Sequence, residues 1–126
     1  MAAIHDEAQY KSVDNVDKQS AKPNFSVLIY PAYLTTEDNS KLRPEVIVNQ
    51  NTPPTFFAHA VDDQVPVQNS IRLALALKEN NIPTELHVYS EGGHGYGLRE
   101  TDVPVTTWSI NCTQWLKVNG WTKRAD

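Results

Sequence analysis

Thr55-Phe56-Phe57-Ala58-His59-Ala60-Val61-Asp62-Asp63-Gln64-Val65-Pro66 is the stretch on which the fold of this chain turns. Its first six residues are nearly continuously apolar, the pattern of a strand covered on both faces of a sheet rather than one with a wet side. The acidic pair and Pro66 then break the run and predict a loop beyond the carboxyl end of that strand.

Working outward, Gln68 to Asn80 has helical spacing, with Ile71, Ala74, Leu75 and Lys78 on one stripe and Leu73 and Leu77 beside it. Asn80-Asn81 and Pro83 close that helix. Leu86-His87-Val88-Tyr89 reads as another strand, followed by the glycine-rich loop Glu91-Gly92-Gly93-His94-Gly95-Tyr96-Gly97. Trp108, Cys112, Trp115, Leu116 and Asn119 recur at helical spacing between Val105 and Gly120, where Gly120 suits a position just past a helix end. Upstream, Phe25 to Tyr30 is short, β-branched and aromatic, and stops at Pro31, as a buried strand would.

Between Tyr33 and Pro54 the composition is that of a long connection around the small apolar piece Val46-Ile47-Val48, a kind of segment that is usually functional or mobile. Residues 1–24 read as a helix remnant (Met1-Ala2-Ala3-Ile4) and a loop, and 25–126 as strand, loop, strand, helix, strand, helix. Alternation of this kind predicts the α/β class: parallel strands with helices on both faces. Ligands and catalytic groups of such sheets gather beyond the carboxyl ends of the strands, so Asp62, Asp63 and His94 are expected at one rim.

The 126 residues are 40% apolar and 21% charged, a balance that fits one globular domain. No stretch approaches the roughly 20 apolar residues that span a bilayer, and no basic-then-apolar leader pattern is seen, so no membrane partner is expected. Net charge is −4 and the 11 Lys and Arg are scattered, which gives nucleic acid no footprint. Cys112 is the single cysteine, so no internal disulfide or thiolate cluster can form, and its place on an apolar stripe marks a core residue. Compartment is left open.

A carboxylate after one strand and a histidine after the next is the order in which serine hydrolases of α/β topology hold their acid and base. Asp63 and His94 are separated by one helix and one strand, about the 30 residues of a strand-helix-strand unit, which would bring their loops side by side. The glycines around His94 keep bulk away from its imidazole. Metal is not expected, since no compact His-x-x-x-His spacing occurs, and His59 and His87 read as hydrogen-bonded structural residues. Trp108 and Trp115 read as core anchors, and the triplets Asn24-Phe25-Ser26 and Asn111-Cys112-Thr113 as chance matches to a glycosylation signal.

Asp62-Asp63-Gln64-Val65-Pro66-Val67-Gln68-Asn69-Ser70, Ile82 to Tyr89 and Gly92-Gly93-His94-Gly95-Tyr96-Gly97 resemble the carboxyl half of α/β-hydrolase esterases, nearest to dienelactone-hydrolase-like, acetyl-esterase-like and carbohydrate-esterase groups. Phe25 to Tyr33 resembles the strand after the nucleophile region there. The resemblance implies the C-terminal portion of an α/β-hydrolase fold acting on small esters through an acyl-serine, with no metal or organic cofactor. It implies His94 as general base and Asp63 or Asp62 as the acid. Asp63 follows His59 by four, matching a His-x-x-x-Asp pattern, while Asp62 begins an Asp-x-x-Val-Pro pattern. Asp63 is preferred because successive side chains leaving a strand point to opposite sides.

The family's Gly-x-Ser-x-Gly elbow and His-Gly-Gly oxyanion loop do not occur, and none of the seven serines has the flanking glycine pair. The expectation is a chain that begins just after its own nucleophile and whose serine lies elsewhere. Tyr96 and Arg99 flank His94 as candidates for shaping the substrate pocket. An alternative is an inactive half-domain that associates with itself or a complementing chain through the exposed apolar edge of the first strand.

Overall fold

The computed structural model describes residues 10–122, so the proposed Met1–Ile4 helix remnant lies outside the described residues. A short 3-10 turn at Val16–Lys18 follows in the polar leader. The body is a three-stranded parallel sheet, β1 (Ser26–Ile29), β2 (Thr55–Ala60) and β3 (Thr84–Tyr89), in the order β1-β2-β3. Helix α1 (Gln68–Glu79) joins β2 to β3, and α2 (Trp108–Val118) follows the glycine-rich loop.

β2 is central and all six of its residues are buried. Its alternating side chains serve two cores. Phe57 packs with Leu73, Ala74, Leu77 and Ile82 on the α1 side, and Phe56 and Ala58 pack with Cys112 and Trp115 on the α2 side. Period-two alternation thus gives apolar residues on both faces, the reason the strand reads as a continuous apolar run. The register, Ser26 against Thr55 and Thr55 against Thr84, aligns the carboxyl ends of all three strands at one rim.

Both helices end in the same device. The Asn81 N–H donates to Lys78 O and the Ile82 N–H to Leu77 O, with Asn81 left-handed at φ 59°. Gly120 (φ 75°) and Trp121 repeat the pattern on Lys117 and Leu116. These are Schellman ends, and each returns an apolar residue beyond the helix to the core its last turn joins: Ile82 and Leu77 share the α1-side cluster, and Trp121 and Leu116 both pack on the α2-side one.

Three details correct the sequence reading. The buried stripe of α1 is Asn69, Ser70, Leu73, Ala74 and Leu77, whereas Leu75 is 47% exposed and Lys78 is exposed. Two stripes compete on this helix, and the one carrying the Leu77–Ile82 contact faces the sheet. The last helix begins at Trp108 rather than Val105, because Pro104–Thr107 forms a 3-10 turn. The long connection between β1 and β2 is not loose: Asn69 Oδ1 accepts from the backbone of Leu34 and Thr35, while Leu34, Leu42, Val46 and Val48 pack on the α1-side core. Among the described residues no helix is long and apolar enough to cross a membrane.

Candidate active site

At the shared rim, β2 ends at Ala60 and the chain turns so that Asp63 becomes buried, 8% exposed, just past the strand. Its carboxylate accepts the Val65 N–H at 2.7 Å on Oδ1, an Asx turn that fixes the side chain against its own loop. His94 Nδ1 lies 2.9 Å from Asp63 Oδ2 and 3.1 Å from Oδ1. With the carboxylate as acceptor, the proton sits on Nδ1 and Nε2 keeps its lone pair. Nε2 has no hydrogen-bond partner among the described residues, and the His94 side chain is 36% exposed.

Asp62 does a different job. Its Oδ1 accepts the Gly93 N–H at 2.8 Å, which holds its carboxyl below the usual carboxylate range. Of the two carboxylates only Asp63 meets the His94 ring, while Asp62 engages the same loop through its backbone; both lie beyond the strand, so the turn rather than strand alternation separates them. Left-handed Gly93 (φ 60°) and Gly95 (φ 74°) bracket His94 and let the loop fold over the acid without a Cβ penalty. The loop is also tied to α2, where the Trp108 indole N–H donates to Gly97 O at 2.7 Å.

Tyr96 turns into the core beside Ala60 and Val105. It is 5% exposed, its hydroxyl donates to Ala58 O at 3.0 Å, and burial pushes that hydroxyl far above its usual pKa. The ring stands edge-on to Tyr30, whose own ring lies 4.6 Å from the His94 ring. The Arg99 guanidinium donates to Gly95 O, which fastens the loop. Tyr30 is a contact to His94 that the sequence did not reveal: it holds a left-handed φ of 42° at the end of β1, and its only sequence signal is the Pro31 that stops the strand.

Of the other histidines, His59 is wholly buried with Nδ1 2.8 Å from the Ser70 hydroxyl and Nε2 3.1 Å from Val65 O, and burial lowers its pKa. His87 pairs with Glu85 at 2.7 Å on the half-exposed strand β3. Among the described residues no group of three or more His, Cys, Asp and Glu is arranged to hold a metal ion. Cys112 is buried, and burial raises its thiol pKa. No serine, threonine or cysteine among the described residues is bonded to His94, and the Ser70 hydroxyl is already engaged by His59.

Residues 6–118 match the family model described as the prolyl oligopeptidase family. Among solved structures, an acetyl ester-xyloside bifunctional hydrolase from Caldicellulosiruptor lactoaceticus is 32% identical, superposes with a TM-score of 0.78 and is matched over 90% of this chain and 48% of that one. MGS-M1, an α/β hydrolase from a Medee basin deep-sea metagenome, is 29% identical with a TM-score of 0.67, over 78% of this chain and 45% of its own. Endo-1,4-beta-xylanase B of Butyrivibrio fibrisolvens is 40% identical over 62 residues, which is 48% of this chain and 10% of that protein. The chain thus spans about half the length of these solved hydrolases, and its fold is part of an α/β-hydrolase fold with esterases among its relatives.

Proposed function

This chain belongs to the prolyl oligopeptidase family, and from that premise we propose that it supplies the acid–base half of a serine ester hydrolase. The observation that carries the reading is the buried Asp63 carboxylate on His94 Nδ1 at 2.9 Å, with Nε2 left without a partner among the described residues. In this scheme His94 Nε2 takes the proton of a serine hydroxyl lying outside these 126 residues as its oxygen attacks the ester carbonyl. His94 then returns the proton to the leaving alcohol, giving an acyl-serine, and repeats the exchange with water. Asp63 sits against the imidazolium throughout and Asp62 holds the loop. The names of the relatives favour a short acyl group, acetyl above all, on a xylose-type carbohydrate.

The test joins this chain to the half of the Caldicellulosiruptor hydrolase that it does not match and assays the folded chimera on p-nitrophenyl acetate and acetylated xylo-oligosaccharide. Turnover that disappears in His94→Ala supports the reading, as does fluorophosphonate labelling of the chimera but not of this chain alone. A folded chimera without turnover would sink it in favour of an inactive chain that pairs through the outer edge of β1, which has no strand partner among the described residues. Cleavage of peptide substrates alone would overturn the ester assignment.

A further inference from the structure

Two buried polar side chains, His59 and Ser70, stand behind the acid and take no direct part in the scheme above. The His59 Nε2 atom faces two acceptors, Val65 O at 3.1 Å and Asp63 Oδ2 at 3.5 Å. Two acceptors on one side require the ring proton to be on Nε2. Nδ1 then presents a lone pair, and the Ser70 hydroxyl at 2.8 Å donates into it. Ser70 lies in the first turns of α1 and is 0% exposed, so no water competes for this bond. One tautomer satisfies all these contacts.

The consequence falls on the acid loop. Val65 is held at both ends of its backbone, its C=O by the His59 ring and its N–H by Asp63 Oδ1 at 2.7 Å. The Asp63 carboxylate is therefore fixed on Oδ1 by Val65 and flanked on Oδ2 by His59, with His94 addressing both oxygens. Without the His59 N–H, the Val65 C=O loses its partner, the turn loosens and the carboxylate can rotate away from Nδ1 of His94. A supporting partner of this kind governs orientation rather than chemistry.

We propose that His59, with its Nε2–H directed at Val65 O and Asp63 and its Nδ1 satisfied by the Ser70 hydroxyl, is a positioning residue that fixes the Asp63 carboxylate and through it the tautomer of His94. The inference rests on the reading of Asp63 and His94 as an acid–base pair, but its test does not use turnover. The competing explanation is that His59 only fills the core between β2 and α1.

Nitrogen-15 histidine spectra of the chain separate the two. In the wild type, His94 is expected to carry its proton on Nδ1 and His59 on Nε2; a His59 protonated on Nδ1 overturns the proposal. His59→Phe keeps the buried volume and removes both nitrogens, whereas His59→Gln keeps an N–H near the position of Nε2. With native circular dichroism retained, the Phe variant should shift His94 toward the Nε2–H form favoured by free imidazole, and the Gln variant should restore the Nδ1–H form. A folded Phe variant with an unchanged His94 spectrum overturns the proposal. Should that variant not fold, His59→Leu carries the test with the same two outcomes: a shift of His94 toward the Nε2–H form supports the proposal, and an unchanged His94 spectrum overturns it. Absence of ester turnover in the chimera would count against the hydrolase reading alone, because none of these spectra depends on it.

Discussion

Gly92 lies against Val105 so closely that a Cβ on the glycine would stand 2.6 Å from Val105 Cγ1 and 2.8 Å from its Cβ. Val105 is 1% exposed and packs with Ala60 and Tyr96, and a β-branched core side chain has no spare rotamer with which to yield. Gly92→Ala is therefore expected to cost about 2 kcal/mol, within the usual range for overpacking. Urea denaturation would show this as a lower midpoint with an unchanged slope. Part of the strain should pass to the loop and weaken the pairing of His94 with Asp63, which the His94 nitrogen-15 spectrum would record.

The two adjacent carboxylates predict unequal mutants. In Asp63→Asn the amide can turn an N–H toward His94 Nδ1, which moves the ring proton to Nε2 and blocks the base. In the chimeric hydrolase kcat should fall by about 10³- to 10⁴-fold. In Asp62→Asn an amide oxygen still accepts the Gly93 N–H found at 2.8 Å, losing only the charge-assisted part of that bond. Its kcat should fall by less than about tenfold. Equal losses would mean that the loop clamp and the acid are not separate devices.

The sequence disclosed what depends on local periodicity and little of what depends on packing. β2, α1, β3 and the glycine loop were legible because a continuous apolar run, a helical repeat and a glycine cluster are written in consecutive residues. The stripe of α1 that faces the sheet was not, since Ile71, Ala74, Leu75 and Leu73, Ala74, Leu77 are equally periodic and only the sheet selects between them. Tyr30 against His94 depends on a left-handed residue at a strand end, and the His59–Ser70 bond joins residues on different elements. Tyr96 looked like a rim residue from its glycine neighbours, yet its ring turns inward to reach Ala58 O. The Asp63–His94 pairing was anticipated from topology because it follows from two aligned strand ends, a consequence of register rather than of side-chain detail.

Cys112 offers a simple check on the α2-side core. It is 7% exposed among Phe56, Ala58 and Trp115, and burial raises its thiol pKa. The thiolate is the reactive form, so a disulfide reagent should modify the native chain only as fast as α2 opens from the sheet. Modification should become fast in denaturant, with the rate following the unfolding curve. Rapid labelling of the folded chain at neutral pH would mean that α2 does not cover this face in solution.

The pH dependence of stability tests the state of His59. Burial lowers its pKa below the ordinary 6.5, more strongly than the Val65 hydrogen bond and the Asp63 charge raise it. In the unfolded chain the ring binds a proton near pH 6.5, whereas in the folded chain it binds one only at lower pH. Between those values the unfolded state holds more protons, so stability rises with pH and falls as pH drops below about 6.5. The loss ends once pH passes below the folded pKa. His59→Gln removes this group from the balance, so the urea midpoint of the wild type should decline more steeply than that of the variant between pH 7 and 5. The difference between their slopes should not exceed one proton. Parallel curves would show that His59 takes up its proton equally in both states, which its enclosure by Ser70, Val65 and Asp63 does not permit.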